Sequence, residues 1–205
     1  MKTLYISIKI IALLFISNYI MAQPCDFTYS EFPVGAAHCA GITLIFSDAS
    51  VGATDWQWDF GPGAIPQFHS QQNPGIVNFP NCNVNQQVTL IINSGACTHT
   101  ETVPIYCNPV ACFTVSPDSA CALTPINFNS NCSQAGAGSS SLSYDWDVCD
   151  GSHITSANFT HTYAALGGCF CATLIVTNNH GCTDDTTVVN AVCITNRANN
   201  YSQSC

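Results

Sequence analysis

Downstream of about residue 22 the chain reads as short β-rich runs, each cut off by Gly, Pro, Asn or Ser, with no helical periodicity of useful length. In the first half the runs are Asp26 to Phe32, Ile42 to Ser47, Asp55 to Phe60, Ile76 to Phe79, Val88 to Ile92 and Thr100 to Ile105. The second half repeats them as Cys112 to Ser116, Pro125 to Asn129, Ser143 to Val148, Asn158 to Tyr163, Ala172 to Thr177 and Thr186 to Ala191. Many short strands at regular, turn-punctuated spacing predict an all-β fold built as sandwiches.

Cysteines and tryptophans give the repeat a measurable offset. Cys25 maps to Cys112, Cys39 to Cys121, Trp58 to Trp146, Cys97 to Cys182 and Cys107 to Cys193, at offsets of 87, 82, 88, 85 and 86 residues. The expected organisation is a leader over residues 1 to 22, sandwiches over 23 to 109 and 110 to 195, and a tail over 196 to 205. Sandwiches of this size bury limited apolar surface, so crosslinks are expected to supplement their cores.

The leader carries Lys2 and Lys9, then an apolar run from Ile10 to Ile16, then Ile20-Met21-Ala22. This is the order of a secretory signal cleaved after Ala22. The run is interrupted by Ser17 and Asn18 and is shorter than the roughly 20 residues of a spanning helix, so no membrane span is expected after cleavage. Pro24 opposes lipidation at Cys25, because lipoprotein signals place a small residue there. All 14 cysteines follow the leader, which fits secretion or display at the cell surface and a disulfide framework. A zinc site of Cys169, Cys171, His180 and Cys182 is the competing reading, and it lacks the paired knuckles of structural zinc sites.

Charge removes whole classes of partner. The chain has 3 Lys or Arg and 12 Asp or Glu; loss of the leader leaves Arg197 as the one cation, a formal charge of 1 − 12 = −11. Displacing phosphate counterions requires several cations, which excludes nucleic acid as a partner, and binding to anionic lipid through a basic patch fails likewise. No phosphate loop ending in Lys, no Gly-x-Ser-x-Gly elbow and no reduced-thiol context is recognisable, and the six His lie in unrelated surroundings. No catalytic residue and no cofactor is assigned.

The most specific segments are Gly52-Ala53-Thr54-Asp55-Trp56-Gln57-Trp58-Asp59-Phe60-Gly61-Pro62-Gly63 and Ser143-Tyr144-Asp145-Trp146-Asp147-Val148-Cys149-Asp150-Gly151. The second is followed by Asn158-Phe159-Thr160-His161-Thr162-Tyr163 and by Ala172-Thr173-Leu174-Ile175-Val176-Thr177-Asn178-Asn179-His180-Gly181-Cys182. These resemble the PKD domain, with its Trp-Asp-Phe-Gly-Asp-Gly turn, Pro-x-His-x-Tyr strand and Thr-Leu-x-Val-Thr-Asn hairpin. The first copy puts Pro62 where the family has an acid, and its Gly75 to Phe79 strand lacks the His; the second replaces Phe and Gly by Val148 and Cys149. The cysteine-bearing form resembles repeats of secreted and surface proteins from Bacteroidetes-like bacteria. The resemblance implies two tandem immunoglobulin-like sandwiches, disulfide-stapled, in a non-catalytic module for adhesion, spacing or recognition of an extracellular protein or glycan.

Within such a sandwich Trp58 and Trp146 are the expected core aromatics, with Trp56 and Tyr144 two residues away on the same face. Trp56 as an exposed sugar-stacking platform is the functional alternative. Asp59 and Asp147 open the following turn, where a carboxylate can accept backbone N–H bonds. Asp145, Asp147 and Asp150 together could instead hold Ca²⁺ weakly, and paired carboxylates could in principle serve acid–base catalysis. Repeat logic pairs Cys39 with Cys97 and Cys121 with Cys182, each closing a loop worth about 4 kcal/mol. Neighbouring strands in such folds pair Cys149 with Cys169 or Cys171. The sheets lack Lys at their edges, so self-assembly into extracellular fibres is a second functional class. A third is an accessory carbohydrate-binding region of a larger secreted hydrolase.

Overall fold

A computed structural model describes residues 24–164 and 167–195. The leader and the C-terminal tail expected from the sequence lie outside these residues. The described residues form fifteen strands in four sheets, with one short 3-10 turn over Asn93–Gly95.

In the first sandwich, β1 (Phe27–Phe32), β2 (Ile42–Asp48) and β5 (Gly75–Phe79) form one sheet in the order β1-β2-β5. The facing sheet runs β4-β3-β6-β7, from β3 (Trp56–Asp59), β4 (Phe68–His69), β6 (Gln87–Ile92) and β7 (Cys97–Thr102). Strict alternation sets the core: Ile42, Leu44 and Phe46 of β2 and Val88, Leu90 and Ile92 of β6 are buried, while their neighbours face outward.

The second sandwich repeats this arrangement. One sheet is β13-β10-β8, from β8 (Thr114–Ser116), β10 (Ile126–Asn129) and β13 (Asn158–His161). The other is β12-β11-β14-β15-β9, from β9 (Ser119–Cys121), β11 (Leu142–Asp147), β12 (His153–Ile154), β14 (Gly168–Asn178) and β15 (Thr183–Thr195). The strand β9 pairs parallel to the end of β15, through Cys193↔Ser119 to Thr195↔Cys121. The first sandwich reduces this feature to one parallel bridge, Cys39↔Tyr106.

The two cores are separate clusters, each centred on a tryptophan. Trp58 retains 2% of its surface and Trp146 none. Their indole N–H groups are satisfied in the same way, Trp58 Nε1 donating to Gln71 O and Trp146 Nε1 to Ser156 O, both at 3.0 Å. Phe27, Phe46 and Phe60 surround Trp58, and Phe113, Phe128 and Phe159 surround Trp146.

Several sequence expectations change. The run read as Thr100 to Ile105 is a strand over Cys97–Thr102, and that read as Thr186 to Ala191 extends over Thr183–Thr195. The two-residue strands β4 and β12 and the three-residue β9 were not anticipated, being too short for alternation to register.

The disulfide pairing also differs. Cys39 does not bond Cys97, and Cys182 does not bond Cys121. Cys97 bonds Cys25, and Cys39 bonds Cys182 of the other sandwich. Cys121 is disulfide-bonded too. Cys149 bonds Cys171, leaving Cys169 to bond Cys193 on the paired strand. Two more bonds among the described residues are Cys82–Cys107 and Cys112–Cys132. With these cysteines oxidised, the zinc reading of Cys169, Cys171 and Cys182 has no thiolates to use.

Candidate functional site

The region with the densest specific chemistry is the joint between the sandwiches. The hairpin from β14 to β15, Asn178 to Cys182, reaches across to the end of the first sandwich. Its Cys182 carries the Cys39–Cys182 bond, with the Cα atoms 5.6 Å apart. The His180 ring stacks on Tyr106, with centroids 3.5 Å apart and planes within 10°. Tyr106 is itself held, its N–H donating to His38 O and its carbonyl accepting from the Ala40 N–H.

Asn178 is buried and uses its whole hydrogen-bonding capacity. Its Oδ1 accepts from the His180 and Cys182 N–H groups, shaping the hairpin, each at 3.0 Å. Its Nδ2 donates to the carbonyls of Cys107 and Ala135, each at 3.1 Å. One side chain thus fixes the hairpin turn, the segment linking the sandwiches, and the loop before β11.

That loop lies directly against the linker. Gly136 has φ +83°, and a Cβ there would meet the Asn108 and Cys107 carbonyl oxygens at 2.6 Å. Gly138, also at φ +83°, would drive a Cβ to 2.5 Å from Val84 Cγ1 of the first sandwich. Both the left-handed backbone and the close approach require glycine.

The acidic turns have separate duties. Asp59 Oδ1 accepts from the Gly61 N–H and Asp147 Oδ1 from the Cys149 N–H, both at 2.8 Å. These are matched Asx turns in the two repeats. Asp150 accepts from the Ser152 N–H and, through Oδ2, contacts His161 Nε2 at 2.7 Å. Asp145 stands on the outer sheet face, 3.8 Å from His153. The three carboxylates suggested for calcium therefore serve different partners, and among the described residues no group of three or more His, Cys, Asp or Glu could hold a metal ion.

Burial alone would raise the Asp150 carboxyl, but hydrogen bonds from His161 and Ser152 outweigh it and hold the pKa below the ordinary value. Asp48 behaves alike: burial opposes ionisation, and bonds from Ser50, Trp56 and Gln72 prevail. Glu31 is lowered chiefly by its bond with His38. Tyr163, desolvated beside Asp150 and Asp147, is pushed up to about 12.

Trp56 does not stand free as a platform. It is half-buried against the first core, with Nε1 donating to Asp48 Oδ2 at 2.8 Å. The outer faces of the three-stranded sheets differ between the repeats. The first presents Phe32, Ile45 and Ile76 among Ser30, Thr43 and Asn78. The second is wholly hydroxyl and amide, with rows Ser116–Asn127–Thr160 and Thr114–Asn129–Asn158. A shallow groove between β10 and β13 is lined by Asn127, Asn129, Asn158 and Thr160 over the stacked Phe128 and Phe159.

Sequence reasoning missed the joint, and one signal for the crosslinks was available. Cys82 and Cys169 lie 87 residues apart, within the repeat offset, so Cys82–Cys107 and Cys169–Cys193 are equivalent bonds.

Two facing sheets of this order, antiparallel except for the β9–β15 pairing, define an immunoglobulin-like β-sandwich, present twice. Residues 106–193, which take in the second sandwich, match the family model of the PKD domain. Among solved structures, the chain is similar to the PKD1 domain of Vibrio anguillarum Epp, with 23% identity over 44% of this chain and 98% of that one, TM-score 0.37. It is also similar to the PKD1 domain of Vibrio cholerae metalloprotease PrtV, with 25% identity over 43% and 98%, TM-score 0.36. A structure described as carbohydrate-binding modules from the β-sandwich superfamily is 29% identical over 44% of this chain, TM-score 0.40, and only 35% of its length is spanned. No curated protein matches the sequence.

Proposed function

We propose that the chain is a secreted or cell-surface, non-catalytic module that presents two PKD-like sandwiches as one coupled unit for adhesion, spacing or recognition. The carrying observation is the Cys39–Cys182 bond with its Asn178 and His180–Tyr106 supports, which resists relative movement of the sandwiches. Such coupling suits a part that holds or transmits position outside the cell. The PKD match and the disulfide framework, stable only in an oxidising compartment, support the same reading. Among the described residues no helix is long and apolar enough to cross a membrane. In this reading residues 1 to 22 are a secretory leader and residues 23 to 109 and 110 to 195 are the two domains.

The amide- and hydroxyl-lined groove of the second sandwich offers donors and acceptors suited to a glycan or an extended peptide. The test is titration of the labelled, disulfide-intact chain onto intact cells and a panel of polysaccharides. Saturable retention with the ligand recovered chemically unchanged is expected. Turnover of the ligand, or recovery of the native protein from the cytoplasm with reduced thiols, overturns the reading.

A further inference from the structure

Among the described residues the strand β7 is an edge of the first sandwich, paired with β6 alone. The Val103 N–H donates to Gln86 O in register with the β6–β7 ladder. By alternation Cys97, His99 and Glu101 therefore point their backbone groups at β6, and Thr98, Thr100 and Thr102 point theirs away from the sheet. Among the described residues those three threonines have no backbone partner on that side. Edges of this kind are ordinarily protected by Lys, Pro or a bulge, and β7 contains none of them.

The order Thr98-His99-Thr100-Glu101-Thr102 is also complementary to itself when reversed. Placed antiparallel about Thr100, it sets Thr98 opposite Thr102, His99 opposite Glu101, and Glu101 opposite His99. We propose that two copies of this chain pair through β7 about a two-fold axis at Thr100, making the four-stranded sheets of their first sandwiches continuous. The outward groups of the three threonines supply about six backbone hydrogen bonds across the axis. His99 and Glu101 fall at the intervening positions, where facing side chains approach most closely, so each imidazole meets a carboxylate. His99 already contacts a carboxylate in the single chain, Asp26 at 3.5 Å.

The corresponding edge of the second sandwich does not qualify. There the Asn178 N–H donates to Cys182 O, so Thr183, Asp185 and Thr187 of β15 point outward. A two-fold pairing centred on that stretch sets Asp185 against itself, and like charges directly opposed are unfavourable. The far end of β15 is covered by β9. Pairing through β7 about a two-fold axis uses the same edge on both copies, so this contact closes as a dimer and does not itself propagate into a fibre.

The pairing is independent of which ligand the module binds. The test is sedimentation velocity on the disulfide-intact secreted chain at concentrations up to roughly 100 μM. The native chain is expected to sediment as a dimer. Thr100→Pro removes an outward N–H and leaves the backbone ladder to β6 in place, losing the Thr89 Oγ1–Thr100 Oγ1 contact of 2.9 Å, and is expected to sediment as a monomer that keeps the native near-UV circular dichroism. His99→Glu is expected to abolish the dimer, and His99→Glu with Glu101→His to restore it, because the swap preserves complementarity. A native chain that stays monomeric, a dimer unaffected by Thr100→Pro, a swap that fails to restore pairing in a folded protein, or open-ended polymers each overturn the proposal.

Discussion

Replacing Cys39 and Cys182 together by Ala removes the covalent link between the sandwiches without leaving an unpaired thiol. The two residues are 143 positions apart, but the Cys25–Cys97, Cys112–Cys132 and Cys149–Cys171 bonds shorten the path between them. With those bonds intact the loop closed is roughly 60 residues, worth about 4 kcal/mol in the chain-entropy treatment. For a protein of this size that corresponds to a fall in Tm of roughly 8–16 °C. Differential scanning calorimetry without reductant measures it. The double variant is expected to melt lower, with its heat absorption resolving into separate transitions as the sandwiches uncouple. A variant melting within about 2 °C of the native protein refutes the reasoning, since the bond would then not constrain the unfolded chain.

Four further outcomes follow from particular contacts. Asn178→Ala leaves the Cys107 and Ala135 carbonyls without their donor and costs about 1–3 kcal/mol in denaturant titrations, with the Cys39–Cys182 bond retained. Gly136→Ala drives a methyl into two linker carbonyls and destabilises the protein, whereas Gly151→Ala, also at positive φ but in open space, costs less in the same assay. Trp146→Ala empties the second core and costs about 3–5 kcal/mol, read by near-UV circular dichroism through denaturant. Asp48 and Asp150, both with lowered folded-state pKa values, contribute stability above the usual carboxylate range and lose it as pH falls through their folded values. Asp150→Asn is therefore less acid-sensitive than the native chain below about pH 4 and less stable than it at pH 7, in melts across pH.

The sandwich architecture was legible because it is local and repeated. Trp58 and Trp146 mark equivalent strands, and the aspartates beside them close equivalent turns. The joint was not legible, because it depends on a difference between equivalent residues. Cys97 and Cys182 hold the same position in their repeats, but Cys97 has only its own sandwich beside it and bonds Cys25, whereas Cys182 faces the preceding sandwich and bonds Cys39. An argument that treats the repeats alike assigns both wrongly. Asn178 was visible as part of a hairpin motif, but its grip on Cys107 joins residues 71 positions apart, which no local pattern encodes. The β7 edge belongs between these cases: its lack of Lys is plain in the sequence, while the direction of its free backbone groups needed the ladder.

Covalent coupling of the sandwiches is tested most directly by proteolysis of the native, disulfide-intact chain under non-reducing, acidic conditions, followed by mass spectrometry of the linked peptides. The expected result is a peptide pair joining Cys39 to Cys182, together with one joining Cys25 to Cys97. Recovery of Cys39 bonded to Cys97 and Cys182 bonded to Cys121, each within its own sandwich, contradicts the account.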